Sequence, residues 1–179
     1  LTESLLLSYL EAGIPVVATE TLSRFQAPWT PTGFIETFGR EKCKVQDCES
    51  ESPFEMSTTI GAFFSNFGCA ERAEPFSNGS GIWKLKDWPP NDNFSVSCPE
   101  LHNDYLQASV VPSCTLPTGV LNLAAHLPIN ALKPDLGPKM YNAFASPQDD
   151  DHSGSTRLHM DVCEAVNFLM YCAASPPAS

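Results

Sequence analysis

Apolar residues recur at helical spacing near the N-terminus. Leu5, Leu6, Tyr9 and Leu10 fall on one face of residues 3–12, and Gly13 is a natural stop. The apolar run Ile14 to Ala18 has the length of a short strand. Pro31 to Phe38 predicts a second helix, with Thr30 or Thr32 as its cap and Phe34, Ile35 and Phe38 turned inward. Thr58 to Phe67 predicts a third, packing Ile60, Phe63, Phe64 and Phe67. Pro75 and Asn78-Gly79 supply turn chemistry, so Glu71 to Gly81 is read as a loop. Ile82 to Asp87 then alternates, setting Ile82, Lys84 and Lys86 against Trp83, Leu85 and Asp87, the signature of a half-buried strand that Pro89-Pro90 ends.

Further helices are expected over Glu100 to Ser109 and, more briefly, Leu121 to Leu127. Lys139 to Ala145 predicts a strand. Asp149-Asp150-Asp151 and Gly154 make a polar turn, after which Thr156 to His159 is expected to start another strand. Ala165 to Cys172 is almost wholly apolar and is expected to be a buried strand. No internal repeat is present. The pattern suits one domain over residues 1–175, with 176–179 a disordered tail.

Composition narrows the function. The 179 residues carry a net charge of −11, which argues against direct nucleic-acid binding and suits a cationic partner. The alternative is that the charge only keeps the protein soluble. Seven cysteines at irregular spacing do not form a disulfide framework, and no Cys-x-x-Cys pair encodes a zinc finger. Reduced thiols fit a nuclear or cytosolic compartment. The apolar run Leu5-Leu6-Leu7 is too short for a signal or membrane segment, so no membrane partner is expected. Without secretion, the acceptor-like Asn78-Gly79-Ser80 and Asn93-Phe94-Ser95 carry no meaning. A chain that starts at Leu1 rather than Met is expected to be an internal piece of a longer one.

The most informative chemistry is His159-Met160-Asp161. Two residues apart on an extended segment, an imidazole and a carboxylate point the same way and can hold adjacent corners of one metal ion. His-x-Asp with open positions is two-thirds of the facial triad of non-haem iron(II) oxygenases. The alternatives are a buried structural histidine and an aspartate that caps a strand-end turn. Asn167 is singled out separately. A lone amide in an apolar run must find a partner or cost stability.

The stretch Arg157 to Tyr171 resembles the iron-binding strand pair of the JmjC oxygenases. The blocks Lys133 to Phe144 and Trp83 to Pro90 narrow the resemblance to the histone demethylases that act on lysine nine of histone H3, a subgroup with an upstream zinc finger. Gly33 to Gly39 and Leu121 to Ala124 resemble it more faintly, so the likeness covers almost the whole chain. It implies a mainly β fold with N-terminal helices (α+β), part of a double-stranded β-helix, the jelly roll shared with cupins. It implies iron(II) held by His159 and Asp161, with 2-oxoglutarate as cosubstrate and O2 as oxidant. Thr156 would bond the distal carboxylate of 2-oxoglutarate, the alternative being a β-branched strand residue. Asn167 would lie near the cosubstrate or an iron-bound water. Tyr141 and Asn142 would line the pocket, the alternative being packing. The implied substrate is a methylated histone H3 tail, mono- or dimethylated at lysine nine, and the implied setting is nuclear, among chromatin-associated complexes that regulate transcription.

The second histidine ligand of the family comes far downstream of the first. His102, His126 and His152 all precede the motif, and the family's basic anchor for 2-oxoglutarate is not evident after Lys139. The chain is therefore expected to be an incomplete part of a catalytic domain. The rival readings are a JmjC protein or RNA hydroxylase, a catalytically inactive chromatin-associated module, and a cupin-like protein with another metal. The last is disfavoured because only one histidine sits in the motif.

Overall fold

The structure is a computed structural model that describes residues 2–49, 54–69, 71–77, 81–86, 88–89, 94–132, 138–146, 154–156, 158–161 and 165–173. In chain order the elements are α1 (Glu3–Glu11), α2 (Pro31–Phe38), β1 (Lys42–Asp47), β2 (Glu55–Thr59), α3 (Ile60–Ser65), β3 (Trp83–Lys86), α4 (Phe94–Ser97), α5 (Pro99–Ala108) and α6 (Pro112–Thr115). Short 3-10 turns cover Leu22–Arg24 and Leu123–His126. The chain forms two compact units, one from 1–27 with 94–138 and the other from 28–93 with 139–179.

In the first unit α1 is capped by the Thr2 side chain, which accepts from the Leu5 amide. It ends where Gly13 takes a φ of +68°, letting the Gly13 and Ile14 amides reach back to the Leu10 and Tyr9 carbonyls. Leu101, Ala108, Val111, Phe94 and Cys98 are buried around α5. Two charged side chains tie the earlier segment to that helix. Arg24 donates to the Ala108 and Ser109 carbonyls at 2.8 and 3.1 Å, capping the α5 C-terminus, where a cation is favoured. Buried Asp104 accepts from the Gln26 and Ala27 amides at 2.8 and 3.2 Å. The apolar run Ile14 to Ala18 forms no strand. Pro15 lacks an amide, and Val17 is exposed, so the run has neither a full ladder nor a surface to pack on.

The second unit is built on a three-stranded antiparallel sheet in the order β2-β1-β3. β1 pairs Lys42 with Thr59 through to Gln46 with Glu55 on one side, and Lys44 with Lys86 through to Asp47 with Trp83 on the other. The inward face supplies Cys43, Val45, Trp83 and Leu85. Burial pushes the Cys43 thiol up to about 11, so it stays protonated and packs as a small apolar group. Helices α2 and α3 pack against each other, each started by a threonine: Thr30 accepts from the Gly33 amide and Thr59 from the Ala62 amide. The ends of the two helices meet through backbone. The Gly61 amide donates to the Gly39 carbonyl and the Ile60 amide to the Glu41 carbonyl, so orphan groups of one helix satisfy those of the other. A Cβ at Gly61 would lie 2.7 Å from the Gly39 oxygen, which is why glycine stands there.

Aromatic rings fill the interior. Phe63 is fully buried and stacks on Phe144 with centroids 4.8 Å apart; Phe64, Phe67 and Phe76 meet it edge-on. Phe34 stacks on Phe64 and meets Trp88, whose indole donates to Glu41.

Several strand expectations are corrected. Lys139 to Ala145 contributes one bridge, Lys84 to Ala143, flanked by hydrogen bonds from Leu85 N to Asn142 O and from Phe144 N to Trp83 O. The described residues of Thr156 to His159 and of Ala165 to Cys172 form no strand. The second run is also exposed rather than buried, with Val166, Leu169 and Tyr171 all in contact with solvent. Apolar residues make a strand only where another strand completes the ladder, and none does so here among the described residues. The fold is thus helices with one small sheet. The α+β mixture is as expected, but the balance is more helical, and no jelly roll is seen among the described residues. The Lys133 to Gly137 part of the resemblance block, Asp87, Pro90, the Asp149 to Asp151 turn, His152, Arg157, Cys163 and the 176–179 tail lie outside the described residues.

Candidate metal centre

The His-x-Asp segment lies between two points where the chain is tied to the second unit. Before it, the Gly154 amide donates to Glu49 Oε1 at 2.9 Å, just past the end of β1. After it, the Tyr171 ring packs on Phe67 with centroids 6.0 Å apart. Ala173 comes so close to Gly68 that a Cβ there would sit 2.5 Å from the Ala173 Cβ. Gly68 also has a φ of +77°, so both its backbone and its surroundings exclude a side chain.

Within that span His159 and Asp161 are side by side. His159 Nε2 lies 3.7 Å from Asp161 Oδ1, and both side chains are more than half exposed. Metal–nitrogen and metal–oxygen bonds of about 2.1 Å would put adjacent donors about 3 Å apart. The pair stands wider than that spacing, at 3.7 Å, but an imidazole with a carboxylate is donor chemistry that suits iron(II). They fit two positions of a metal. Among the described residues no group of three or more His, Cys, Asp or Glu side chains could hold an ion, so the third donor is not found there.

The other expected residues spread out. Thr156 is exposed three positions before His159. Asn167 is exposed too, so the cost of a buried unpaired amide, which marks it in the sequence, does not arise. Tyr141 is largely exposed, whereas Asn142 is half-buried beside β3. Its main-chain oxygen accepts from Leu85, but its Nδ2 is a buried donor with no partner among the described residues, as is the Trp83 indole nitrogen. His102 lies in α5, and His126 lies in the second 3-10 turn with Nε2 2.9 Å from the Val120 carbonyl.

Arg72 is a residue that no sequence signal marks. Its guanidinium lies 4.5 Å from the Phe144 ring centroid and donates to the Gly81 carbonyl. Burial lowers its pKa from the ordinary value.

No protein-family model matches the chain. Relatives of the chain nonetheless include lysine-specific and JmjC domain-containing demethylases. Lysine-specific demethylase 3 of Drosophila melanogaster is 35% identical over 163 residues, which is 90% of this chain and 19% of that protein. Lysine-specific demethylase 3A of Homo sapiens is 34% identical over 145 residues, 80% of this chain and 11% of that protein. The human probable JmjC domain-containing histone demethylation protein 2C is 30% identical over 145 residues, 80% of this chain and 6% of that protein. The chain is homologous to a segment of these demethylases and spans less than a fifth of their length.

Proposed function

We propose that this chain is part of the catalytic region of an iron(II)- and 2-oxoglutarate-dependent histone lysine demethylase, acting in the nucleus on mono- or dimethylated lysine nine of histone H3. One observation carries the reading: identity of 35% to a lysine-specific demethylase runs along 90% of the chain. The side-by-side His159 and Asp161 support it, because the chemistry needs a carboxylate and an imidazole on one face of a metal. Iron(II), 2-oxoglutarate and O2 together supply oxidation of an N-methyl group, with succinate, CO2 and formaldehyde as products. The role of this chain is to hold and orient. His159 and Asp161 would each contribute one donor to the iron, the Thr156 hydroxyl would donate to the cosubstrate carboxylate, and the Asn167 amide would serve near the cosubstrate or an iron-bound water. The tethers at Gly154 and Tyr171 fix the ends of the segment that carries all four.

Mass spectrometry of methylated histone peptides after incubation with the intact enzyme tests the proposal. Loss of about 14 mass units per methyl group at lysine nine, with formaldehyde released, is the expected result. Gain of one oxygen without formaldehyde would instead identify a hydroxylase. No change in any peptide, with iron and 2-oxoglutarate supplied, would identify an inactive chromatin-associated module.

A further inference from the structure

The outward face of the sheet gathers four of the six lysines of this acidic chain. Successive strand residues point to opposite faces, so Cys43, Val45 and Asp47 turn inward while Lys42, Lys44 and Gln46 turn outward. The pairing carries that sidedness across the sheet. Lys44 stands opposite Lys86 and Ser57, Gln46 opposite Lys84 and Glu55, and Lys42 opposite Thr59. Four of the ten Lys and Arg residues therefore share one small face of a chain whose net charge is −11. Glu55 is the one acid among the strand positions of this face. It pairs with Lys44 at 3.6 Å and with Lys86, and the face keeps a positive balance. Like charges opposite one another destabilise a sheet, and Glu55, paired with both Lys44 and Lys86, counters that repulsion.

Against the expectation drawn from net charge alone, we propose that this face binds the phosphate backbone of double-stranded DNA. Lysine ammonium groups meet phosphate as point charges. The remaining outward residues, Ser57, Thr59 and Gln46, are uncharged side chains of the kind that donate to phosphate oxygens. The strand positions of the face carry no aromatic ring on which an unpaired base would stack, which disfavours single strands. They carry no arginine fork and no apolar anchor either, which disfavours an acidic peptide. Contact is made without reading bases, so it is independent of sequence. The negative charge elsewhere opposes approach at long range, so binding is confined to low ionic strength.

The test is fluorescence anisotropy of a labelled duplex titrated with the 179-residue chain, between about 50 and 200 mM salt. The expected result is similar affinity for unrelated duplexes and a log–log salt slope no steeper than about −3.6, the value for four neutralised phosphates. Joint replacement K42Q/K44Q/K84Q/K86Q should lower affinity by about tenfold or more and flatten the slope, while Glu55→Gln should tighten binding. Lys42→Glu, at the exposed start of β1, covers the case in which the quadruple variant fails to fold. It should weaken binding with its melting curve unchanged. Absence of binding at the lowest salt, binding unchanged in Lys42→Glu, or tighter binding of polyglutamate than of duplex would each overturn the proposal.

Discussion

Replacing His159 with Ala in the intact enzyme is expected to abolish iron-dependent turnover while leaving stability almost unchanged. The same holds for Asp161→Ala. Under the proposed function each residue supplies a donor to iron, and the loss should exceed the roughly 100-fold upper cost of disturbing an outer-shell partner. Stability should respond differently. Both side chains are more than half exposed, and surface substitutions of that kind usually shift stability by about 0.5 kcal/mol or less. Bound iron and 2-oxoglutarate consumption measure the first effect, and a melting curve measures the second. Full turnover in either variant would remove these residues from the metal. A collapsed melting curve would show that they act in folding.

Phe63→Ala is expected to have the opposite signature. Phe63 is fully buried, stacked on Phe144 and met by Phe64, Phe67 and Phe76. Truncating a buried phenylalanine costs about 3–5 kcal/mol through lost burial and the cavity left behind. That is a large share of the roughly 5–15 kcal/mol that holds a domain folded. A urea unfolding curve should move to a much lower midpoint, and near-ultraviolet dichroism should fall as the ring cluster loosens. Phe54→Ala is the control: that ring is more than half exposed and touches Trp83 edge-on, so its removal should cost far less. Equal midpoints for the two variants would show that the interior is not organised around Phe63.

The contrast between these residues follows what a sequence can and cannot express. Helices were legible where local chemistry decides them. Thr30 before Pro31 and Gly13 after Glu11 act within a few residues of themselves, and the helices start and stop there. β3 was legible because Trp83 and Leu85 alternate with lysines. β1 and β2 were not, because Cys43 and Val45 are the only apolar residues of one and Met56 of the other. Ile14 to Ala18 and Ala165 to Cys172 erred the other way. Hydrophobicity shows what a segment could bury but not whether a neighbour stands beside it. Residue type and spacing mark His159 and Asp161 as candidate donors, whereas their solvent exposure depends on what surrounds them. Net charge could not reveal the lysine face, because sidedness exists only once strands pair.

The backbone junction between α2 and α3 bears on the order in which the second unit assembles. Gly39 and Gly61 are joined across about 20 residues of chain, whereas Ala143 must return across about 60 to reach Lys84. The longer closure carries an extra entropic cost of about 1 kcal/mol. During synthesis the first closure is available long before the second has left the ribosome. Pro31 to Ser65 is thus expected to form early, offering an open edge and a partly filled ring cluster to the later segment. Pulse-labelled amide exchange during refolding should find Ile60 and Gly61 protected ahead of Leu85 and Phe144. The reverse order would mean that the distant segment templates the sheet.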